Sequence, residues 1–349
     1  MPAKVFVVML LSMLLPVRSL KYSAPARAFS SFSSTPITMM PEGPEVRTIA
    51  TSIDAALKKS PSRLVSVDCL SGRYIRHGPP ANHETFLSSL QLHPEASEIK
   101  EWKCRGKFQY LLLSDQQRSV WVTLGMSGRF SFNADLDHKH SRVNFVLEDL
   151  ETRARRNLTF IDARNFGTVR MSMDRQELED KLKTLGPDLL DESDLTDEVF
   201  LQIVRRSCVA AKSPLNVCVF LMNQKKISGV GNYILAEGLH KANVDPWATL
   251  DEIDDPTSIS LVRHLRETAR SSFDAQGLTR RKGGSYRSLS GSSGKFEFEL
   301  MVYGRYETPS NEPVYKVVDG PHKRAIHFTK SQISPERWDY VAERAGLKT

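Results

Sequence analysis

Apolar and polar positions divide the chain into a β-rich stretch that follows one helix and a helical stretch that precedes a hairpin. Four apolar residues recur at the three- and four-residue spacing of an amphipathic helix: Val46, Ile49, Ile53 and Leu57. We expect this helix to begin near Glu45 and to end at Lys59, because Pro61 disfavours a helical conformation in the residue before it.

Short β-type segments follow this helix and are separated by polar turns. Val65, Val67 and Cys69 alternate with polar residues, and further segments rich in β-branched and aromatic residues lie at 108–113, 119–124, 143–147, 158–161 and 168–173. Many short strands with turn signals are typical of a β-sandwich. The sequence therefore predicts a domain over residues 41–175, a β-sandwich with the leading helix packed at its edge.

Helical periodicity replaces the β pattern in the second half of the chain, so the fold class is α+β. We expect a helical domain over residues 196–280. Apolar residues at helical spacing include Phe200, Ile203 and Val204, the run 217–221, and Leu261, Leu265 and Phe273. A further helix is predicted from Tyr233 onwards. Residues 176–195, which contain Leu185-Gly186-Pro187-Asp188, form the predicted linker between the two domains.

Three segments complete the predicted organisation. Residues 281–295 are rich in glycine, serine and basic residues, which is typical of a mobile loop. Residues 296–332 contain a predicted β-hairpin, with strands at 314–318 and 325–329 and a turn near Gly320. The tail, residues 333–349, carries no signal that predicts a structure.

A targeting-like leader occupies residues 1–40. Its apolar run of about ten residues behind Lys4 has the length of a signal peptide and is too short to span a bilayer. Serine-rich, acid-free sequence follows, as in the bipartite leaders of algae with secondary plastids. A mitochondrial presequence and a translation start at Met40 are the alternatives. We expect a plastid or mitochondrial location, or a nuclear one if translation starts at Met40, and no membrane partner.

Charge and cysteine usage narrow the function classes only slightly. The chain has a formal charge of +7, but the leader holds four of its 48 basic residues and no acid, which leaves 44 basic against 41 acidic residues. A net charge of +3 permits nucleic-acid binding without requiring it. The cysteines, at 69, 104, 208 and 218, have no Cys-x2-Cys spacing, which indicates free thiols in a reducing compartment and no zinc site.

Candidate chemistry begins at Pro41-Glu42-Gly43-Pro44-Glu45, where the leader meets the folded domain. If the leader ends at Met40, Pro41 becomes a secondary amine with a pKa roughly 2–3 units below that of lysine. Such an amine can attack an electrophilic carbon and form an iminium, and Glu42 and Glu45 could move protons around it. The same residues could instead simply open a helix, with Gly43 as its N-cap.

This stretch, together with several motifs downstream, resembles the formamidopyrimidine-DNA glycosylase / endonuclease VIII family of base-excision repair enzymes. The resemblance runs from about Pro41 to about Gln332. It rests on Pro41–Glu45 and on four further motifs: Arg105-Gly106-Lys107-Phe108, Leu124-Gly125-Met126-Ser127-Gly128-Arg129, Asp162-Ala163-Arg164-Asn165-Phe166-Gly167, and Gln224 to Tyr233 with its Gly229-Val230-Gly231-Asn232 core. The glycine at the third position of the first motif, Gly43, resembles the endonuclease VIII branch of the family.

The resemblance implies roles for the matching residues. Pro41 would be the nucleophile, Glu42 and Glu45 would move protons, and Lys107 would contact the damaged base or a phosphate. Met126, Arg164 and Phe166 would fill the gap left by a base flipped out of the duplex. The alternative for Met126 and Phe166 is ordinary core packing.

Phosphate contacts are implied in the second domain. Asn232 opens the helix of a helix–two-turn–helix signature, where backbone N–H groups can face a phosphate. Lys212 precedes this signature, and His140 stands where the family has a phosphate-contacting Lys-His, although Ser141-Arg142 departs from its pattern. In most family members a four-cysteine zinc finger follows. Here no cysteine follows Cys218, so a zinc-free hairpin is expected, with Arg324 (or its neighbour Lys323) as the phosphate-binding residue.

The resemblance implies a monomeric, bifunctional DNA glycosylase/AP lyase that acts on oxidised bases in double-stranded DNA, with no metal and no cofactor. The candidate substrates are formamidopyrimidine, 8-oxoguanine, hydantoin and oxidised pyrimidine lesions. Two alternatives stay open: a catalytically silent damaged-DNA-binding protein on the same fold, which follows if Pro41 is never freed, and a structural protein without affinity for nucleic acid. The alternatives differ in strand cleavage and in salt-dependent DNA binding.

Overall fold

Helix α1 (Gly43–Lys59) opens the folded chain, as the spacing of its apolar residues predicts. The computed structural model describes residues 41–276 and 299–347, all of which belong to one structural unit. The predicted leader and mobile loop 281–295 lie outside the described residues. The N-cap of α1 is Glu42 and not Gly43, so the alternative in which Gly43 caps the helix is wrong.

Two four-stranded antiparallel sheets form the N-terminal half. Their strands are β1 (Ser62–Cys69), β2 (Ile99–Arg105), β3 (Phe108–Leu113), β4 (Ser119–Thr123), β5 (Gly128–Phe132), β6 (Ser141–Asp149), β7 (Arg155–Asp162) and β8 (Thr168–Ser172). One sheet has the order β1-β6-β7-β5 and the other β2-β3-β4-β8. The predicted combination of helices with antiparallel sheets is confirmed.

The sequence pattern missed two strands and two short helices, α2 (Arg73–Arg76) and α3 (His83–Leu92). In β2 the buried residues Ile99 and Trp102 are three apart, because the register shifts between Ile99 and Glu101. Such a bulge interrupts the two-residue alternation that identifies a strand. Strand β5 has only five residues and begins with glycine, so it too gave a weak signal.

The inner faces of both sheets share one apolar core with α1. Helix α1 packs along the edge strand β2, and Asp54 on this helix accepts a hydrogen bond from the backbone N–H of Trp102 (3.0 Å). Helix α4 (Arg175–Lys183) covers the outer face of the second sheet, where Leu178 joins Phe108 and Trp121. The linker predicted at 176–195 therefore begins later than expected, since most of its first nine residues are helical.

The second half combines helices with a hairpin around a separate core. Its elements are α5 (Asp197–Ala210), α6 (Val217–Met222), α7 (Asn232–Lys241), α8 (Asp255–Asp274), β9 (Val314–Val317), β10 (Ile326–Thr329) and α9 (Pro335–Arg344). Side chains of Thr196, Asn216 and Asp254 cap the first turns of α5, α6 and α8, which explains why these helices begin where they do. Within the described ranges, no helix has both the length and the apolarity needed to cross a membrane.

Helix α9 lies in the tail, for which the sequence pattern predicted no structure. It begins with Pro335, which suits a first helical position, and its inward residues Val341 and Ala342 are buried. Together with Trp338 they follow the spacing of a helical apolar face, a signal that was present in the sequence.

Asp188 joins the two halves. Its carboxylate oxygen Oδ2 accepts hydrogen bonds from the Arg47 guanidinium on α1 (2.8 Å) and from the backbone N–H of Gly106 in the β2–β3 turn (2.7 Å). Arg105 in the same turn forms an ion pair with Asp194 (2.8 Å). The segment at 186–194 thus holds both α1 and the β2–β3 turn.

Replacing Asp188 with alanine is expected to lower the free energy of unfolding by about 3 kcal/mol, because a buried N–H and a partly buried guanidinium lose their acceptor. Urea denaturation monitored by tryptophan fluorescence measures this change. Glu192→Ala, in the same segment, removes an exposed ion pair with Arg270 and should leave the midpoint nearly unchanged. Equal midpoints for the two variants would contradict the role of Asp188.

Candidate active site and nucleic-acid interface

Three backbone turns meet where the sandwich touches the helical half: the start of α1, the β2–β3 turn, and the turn that precedes α7. The Gly43 N–H donates to the carbonyl of Gly229 (3.0 Å). Gly106 has φ +54°, and a Cβ there would lie 2.6 Å from the Gly229 nitrogen. Only glycine allows backbones to approach this closely. Pro41, Lys107 and Asn232 lie on or next to these turns and are therefore positioned by the two close approaches to Gly229.

Glu42 is buried at the N-terminus of α7. Its Oε1 accepts a hydrogen bond from the backbone N–H of Tyr233 (3.0 Å), and its Oε2 accepts one from that of Ile234 (3.4 Å). Burial raises the pKa of Glu42 to about 7, and nearby Glu45 adds to the rise, whereas Lys107 and the two N–H groups oppose it. A carboxyl group that titrates near neutral pH can both donate and accept a proton.

Glu45 lies one helical turn further along, also buried. It accepts from the Glu42 N–H (2.9 Å), from the Tyr233 hydroxyl (3.2 Å) and from the Ser272 hydroxyl (3.3 Å). The Tyr233 and Ser272 hydroxyl oxygens themselves lie 2.9 Å apart. Glu45 thus fixes the backbone of Glu42 and links α1 to both α7 and α8.

Lys107 is half-buried and faces these carboxylates from the β2–β3 turn. Burial and the positive charge of Arg324 lower its pKa, while Glu42 and Glu45 act in the opposite direction. Because the charge of Arg324 acts on Lys107, the hairpin turn faces the same site. Lys107 and Arg324 are cations that can bind a phosphate, and Glu42 and Glu45 are carboxyl groups that can act on a reacting centre. The site therefore suits a substrate that carries both a phosphate and a reacting centre.

Pro41 is buried and immediately precedes Glu42. Its side chain therefore lies at the junction of the two halves. With residues attached ahead of it, its nitrogen is an amide and cannot act as a base or a nucleophile.

Met126, Arg164 and Phe166 lie on two adjoining loops, as the sequence motifs predict. Asp162 holds both loops, since its carboxylate accepts from the Ser127 hydroxyl and from the Gly167 N–H (2.7 Å). Phe166 remains 53% exposed, and the Arg164 guanidinium lies 5.6 Å from the centre of its ring. A phenylalanine this exposed is not packed in a core, so the core-packing alternative is wrong for Phe166. Met126 is half-buried.

Asn232 does not present a free amide. Its Nδ2 donates to the carbonyl of Ala325 (2.8 Å), and its Oδ1 lies 2.8 Å from Nε2 of His322. Both partners belong to the hairpin turn, next to exposed Arg324. Burial and the charge of Arg324 lower the pKa of His322 to about 4, so this imidazole is neutral at pH 7 and can donate to Asn232.

His140 and Lys212 are placed differently. His140 is half-buried beside Arg142, whose guanidinium donates to the carbonyl of Asp162 (2.8 Å) at the base of the loop that carries Arg164. Burial and the neighbouring charges of Lys139 and Arg142 lower the pKa of His140. Lys212 is exposed between α5 and α6 and forms no hydrogen bond or ion pair with other described residues, so no bond connects it to the site.

Comparison with known proteins identifies the family to which the chain belongs. The model of the formamidopyrimidine-DNA glycosylase N-terminal domain matches residues 40–169. A formamidopyrimidine-DNA glycosylase from Salinispora tropica is 30% identical over 314 residues, which cover 88% of this chain and 98% of the relative. The chain belongs to the formamidopyrimidine-DNA glycosylase family.

A further relative agrees with this membership, and two solved structures share the fold. The formamidopyrimidine-DNA glycosylase of Bacillus subtilis is 29% identical over 296 residues, covering 83% of this chain and 97% of that protein. Among solved structures, Lactococcus lactis formamidopyrimidine-DNA glycosylase bound non-covalently to DNA containing an AP site superposes with a TM-score of 0.64, at 21% identity, over 84% of this chain and all of that one. A complex of an inhibited form of that enzyme with DNA containing N7-benzyl-Fapy-dG gives a TM-score of 0.66, at 23% identity over 84% of this chain and 99% of that one.

Sequence reasoning missed several residues that build this family member's site. Tyr233 was predicted only as the start of a helix, yet its N–H and hydroxyl bind both catalytic candidates, Glu42 and Glu45. Tyr303, whose pKa is raised by burial and by the charge of Glu42, lies beside the same carboxyl group. These contacts join residues about 190 to 260 positions apart, and no local pattern encodes them.

Gly231→Ala tests how tightly Glu42 is held. At φ −134° the backbone of Gly231 suits any residue, but a Cβ there would lie 2.1 Å from the carboxyl carbon of Glu42. We expect a loss of about 1–3 kcal/mol of stability from overpacking. The loss should shrink clearly in a Glu42→Ala background, where the clash is absent. Chemical denaturation of the four proteins gives the coupling energy, and the same loss in both backgrounds would disprove the contact.

Proposed function

We propose that this protein is a bifunctional DNA glycosylase/AP lyase that removes oxidised bases from double-stranded DNA in base-excision repair. The observation that carries the proposal is the position of Pro41 beside Glu42, a buried carboxyl group whose pKa is raised to about 7 and which faces Lys107. Membership of the family and the DNA complexes of the Lactococcus lactis enzyme support it.

The chemistry follows from a freed Pro41. Its secondary amine attacks C1′ of the flipped nucleotide, the glycosidic bond breaks, and the base leaves with the bonding electrons and takes up the proton that the amine nitrogen loses. Protonated Glu42 gives its proton to the sugar ring oxygen as the ring opens, so the iminium forms at C1′. Loss of a proton from C2′ then expels the 3′ phosphate, and a second elimination expels the 5′ phosphate. Water releases Pro41, and Glu45 holds Glu42 throughout.

The remaining candidates hold the DNA. Lys107, Arg324 and Asn232 contact phosphates around the lesion, and His140 and Lys212 contact the backbone further away. Because both ends of the Asn232 amide are bonded to the hairpin, Asn232 reaches a phosphate only by exchanging one of these partners, or else acts by placing the hairpin. Met126, Arg164 and Phe166 occupy the gap in the stack, for which an exposed Phe166 under a guanidinium is suited.

The protein is proposed to act as a monomer on formamidopyrimidine, 8-oxoguanine, hydantoin or oxidised pyrimidine lesions. Gly43, at the third position of the motif, favours the oxidised pyrimidines. We propose that the leader directs the chain to a plastid or mitochondrion, and that its removal after Met40 exposes the amine. The N-terminal residue of the mature protein in cells tests this directly.

Borohydride trapping tests the lyase. Protein that begins at Pro41 is expected to form a covalent adduct with duplexes that contain an abasic site or an oxidised base, because borohydride reduces the iminium to a stable amine. Pro41→Ala should reduce trapping at least 100-fold on the abasic duplex, since its primary amine is less well placed. The chain that keeps residues 1–40 is the second control and should form no adduct. The four lesion duplexes, compared at equal concentration, rank the substrates.

Binding without any adduct from the freed protein would instead favour the catalytically silent damage binder. If the freed protein shows neither trapping nor salt-dependent affinity for DNA, the proposal that it acts on DNA is wrong.

The pH dependence of the trapping rate should report the protonation state of Glu42. The rate is measured at DNA concentrations below saturation, where its pH dependence reflects the pKa values of the free enzyme. It should fall as pH rises through about 7, because Glu42 loses the proton that it donates. Lys107→Met removes a charge that lowers the pKa of Glu42, so the alkaline limb should move to higher pH. Glu42→Gln has no proton to lose, and its weaker activity should show no such limb. An unchanged limb in Glu42→Gln would assign the titration to another group.

A further inference from the structure

Aromatic contacts hold both strands of the hairpin that carries Arg324. Trp247, from the segment between α7 and α8, packs edge-on against Phe328 of β10, with ring centres 5.0 Å apart. Phe328 contacts Tyr315 of β9 at 6.0 Å, and Tyr315 contacts Trp338 of α9 at 5.4 Å. These four rings form a continuous ladder from the helical domain through the hairpin to α9, in which each edge-on pair adds stability beyond its buried area.

The two ends of α9 bind different parts of the molecule. Near its start, Arg337 forms ion pairs with Asp245 (3.1 Å) and Glu252, both in the segment between α7 and α8. At its last residue, Arg344 donates to the carbonyl of Asp319 (2.6 Å), where the hairpin turn begins. A ten-residue helix is about 15 Å long, so α9 spans from the helical domain to the hairpin turn as a rigid rod.

The turn that α9 reaches carries Arg324, the candidate phosphate-binding residue. The Gly320 N–H donates to the carbonyl of Arg324 (2.9 Å), and the Lys323 N–H donates to the carbonyl of Gly320 (2.9 Å). Asp319 and Arg324 therefore move together. No cysteine follows Cys218 in the sequence, so thiolate ligands to a metal cannot fix this turn.

We propose that α9 is a brace that positions the hairpin turn for DNA, with Trp338 and Arg344 as its positioning residues. The brace fixes β9 through Trp338 and the turn through Arg344, so that Arg324 and the His322–Asn232 pair face Lys107. This inference rests on the proposed function in one respect, that Arg324 contacts a DNA phosphate.

The test compares Trp338→Ala and Arg344→Ala with Glu343→Ala, a matched control on an exposed position of α9 whose side chain forms no hydrogen bond or ion pair with the described residues. The probe is a duplex with a tetrahydrofuran abasic-site analogue, titrated between about 50 and 200 mM salt. We expect Trp338→Ala to weaken binding about 10-fold and to reduce the salt slope by about 0.9, the value for one lost phosphate contact. Arg344→Ala should weaken binding about 3-fold, because it loses an exposed hydrogen bond to the Asp319 carbonyl and a long ion pair with the Asp319 carboxylate.

A double-variant comparison separates positioning from a general loss of stability. In an Arg324→Ala background, Trp338→Ala should add less than about 2-fold, because the contact that it misplaces is already absent. Single-turnover trapping at saturating DNA should stay within about 2-fold of the parent, and Trp338→Phe should restore affinity because it keeps a ring against Tyr315.

Amide hydrogen exchange at Ile326 and Phe328 supplies a readout that needs no DNA. Faster exchange in Trp338→Ala and Arg344→Ala, but not in Glu343→Ala, supports the brace even if the parent protein binds no DNA, in which case only the proposed function fails. Unchanged exchange, or additive effects of Trp338→Ala and Arg324→Ala on affinity, would overturn the proposal.

Discussion

Contact between the backbones of Gly43 and Gly229 is the constraint on which the site depends. A Cβ on Gly43 would lie 2.9 Å from Cα of Gly229, so no side chain fits between the start of α1 and the turn before α7. The approach delivers the Glu42 carboxyl to the N-terminus of α7, where two backbone N–H groups lack partners within their own helix. The helix dipole also favours a negative charge at this end. This backbone contact helps to place Glu42, the residue next to the nucleophile candidate Pro41, at the end of α7.

Burial nevertheless outweighs these favourable contacts at Glu42. A pKa raised from 4.5 to about 7 corresponds to about 3 kcal/mol against the charged form. The N–H groups of Tyr233 and Ile234 and the charge of Lys107 oppose the rise without cancelling it. The same burial that disfavours a permanent charge gives the group its capacity to exchange a proton at neutral pH, so the cost to folding and the chemistry have one origin. Lys107 experiences the complementary effect, because burial lowers its pKa.

Local sequence pattern predicted the elements whose apolar spacing is regular. Helix α1 and strand β3 lie where their patterns indicate, and the hairpin strands differ by one residue at most. Strand β2 was missed because a bulge breaks its alternation, and α9 because its three inward residues form too short a stripe to stand out. The candidate site residues were found by family resemblance. The contacts of Tyr233 and Ser272 with Glu42 and Glu45 could not be predicted that way, because they join distant parts of the chain.

The hairpin depends on contacts with the rest of the helical half. Two strands of four residues are too short to be stable alone. Here the buried carboxylate of Glu237 accepts hydrogen bonds from the backbone N–H groups of Met301, Val302 and Tyr303, at 2.7 to 2.9 Å, and so fixes the chain that leads into the hairpin. Aromatic rings pack against the face that carries Tyr315 and Phe328. The hairpin is therefore held by contacts spread over several residues, namely three hydrogen bonds to one carboxylate and a series of packed rings. A hairpin held in this way can lose single contacts gradually, so the placement of its turn is expected to depend on the helix that packs against it.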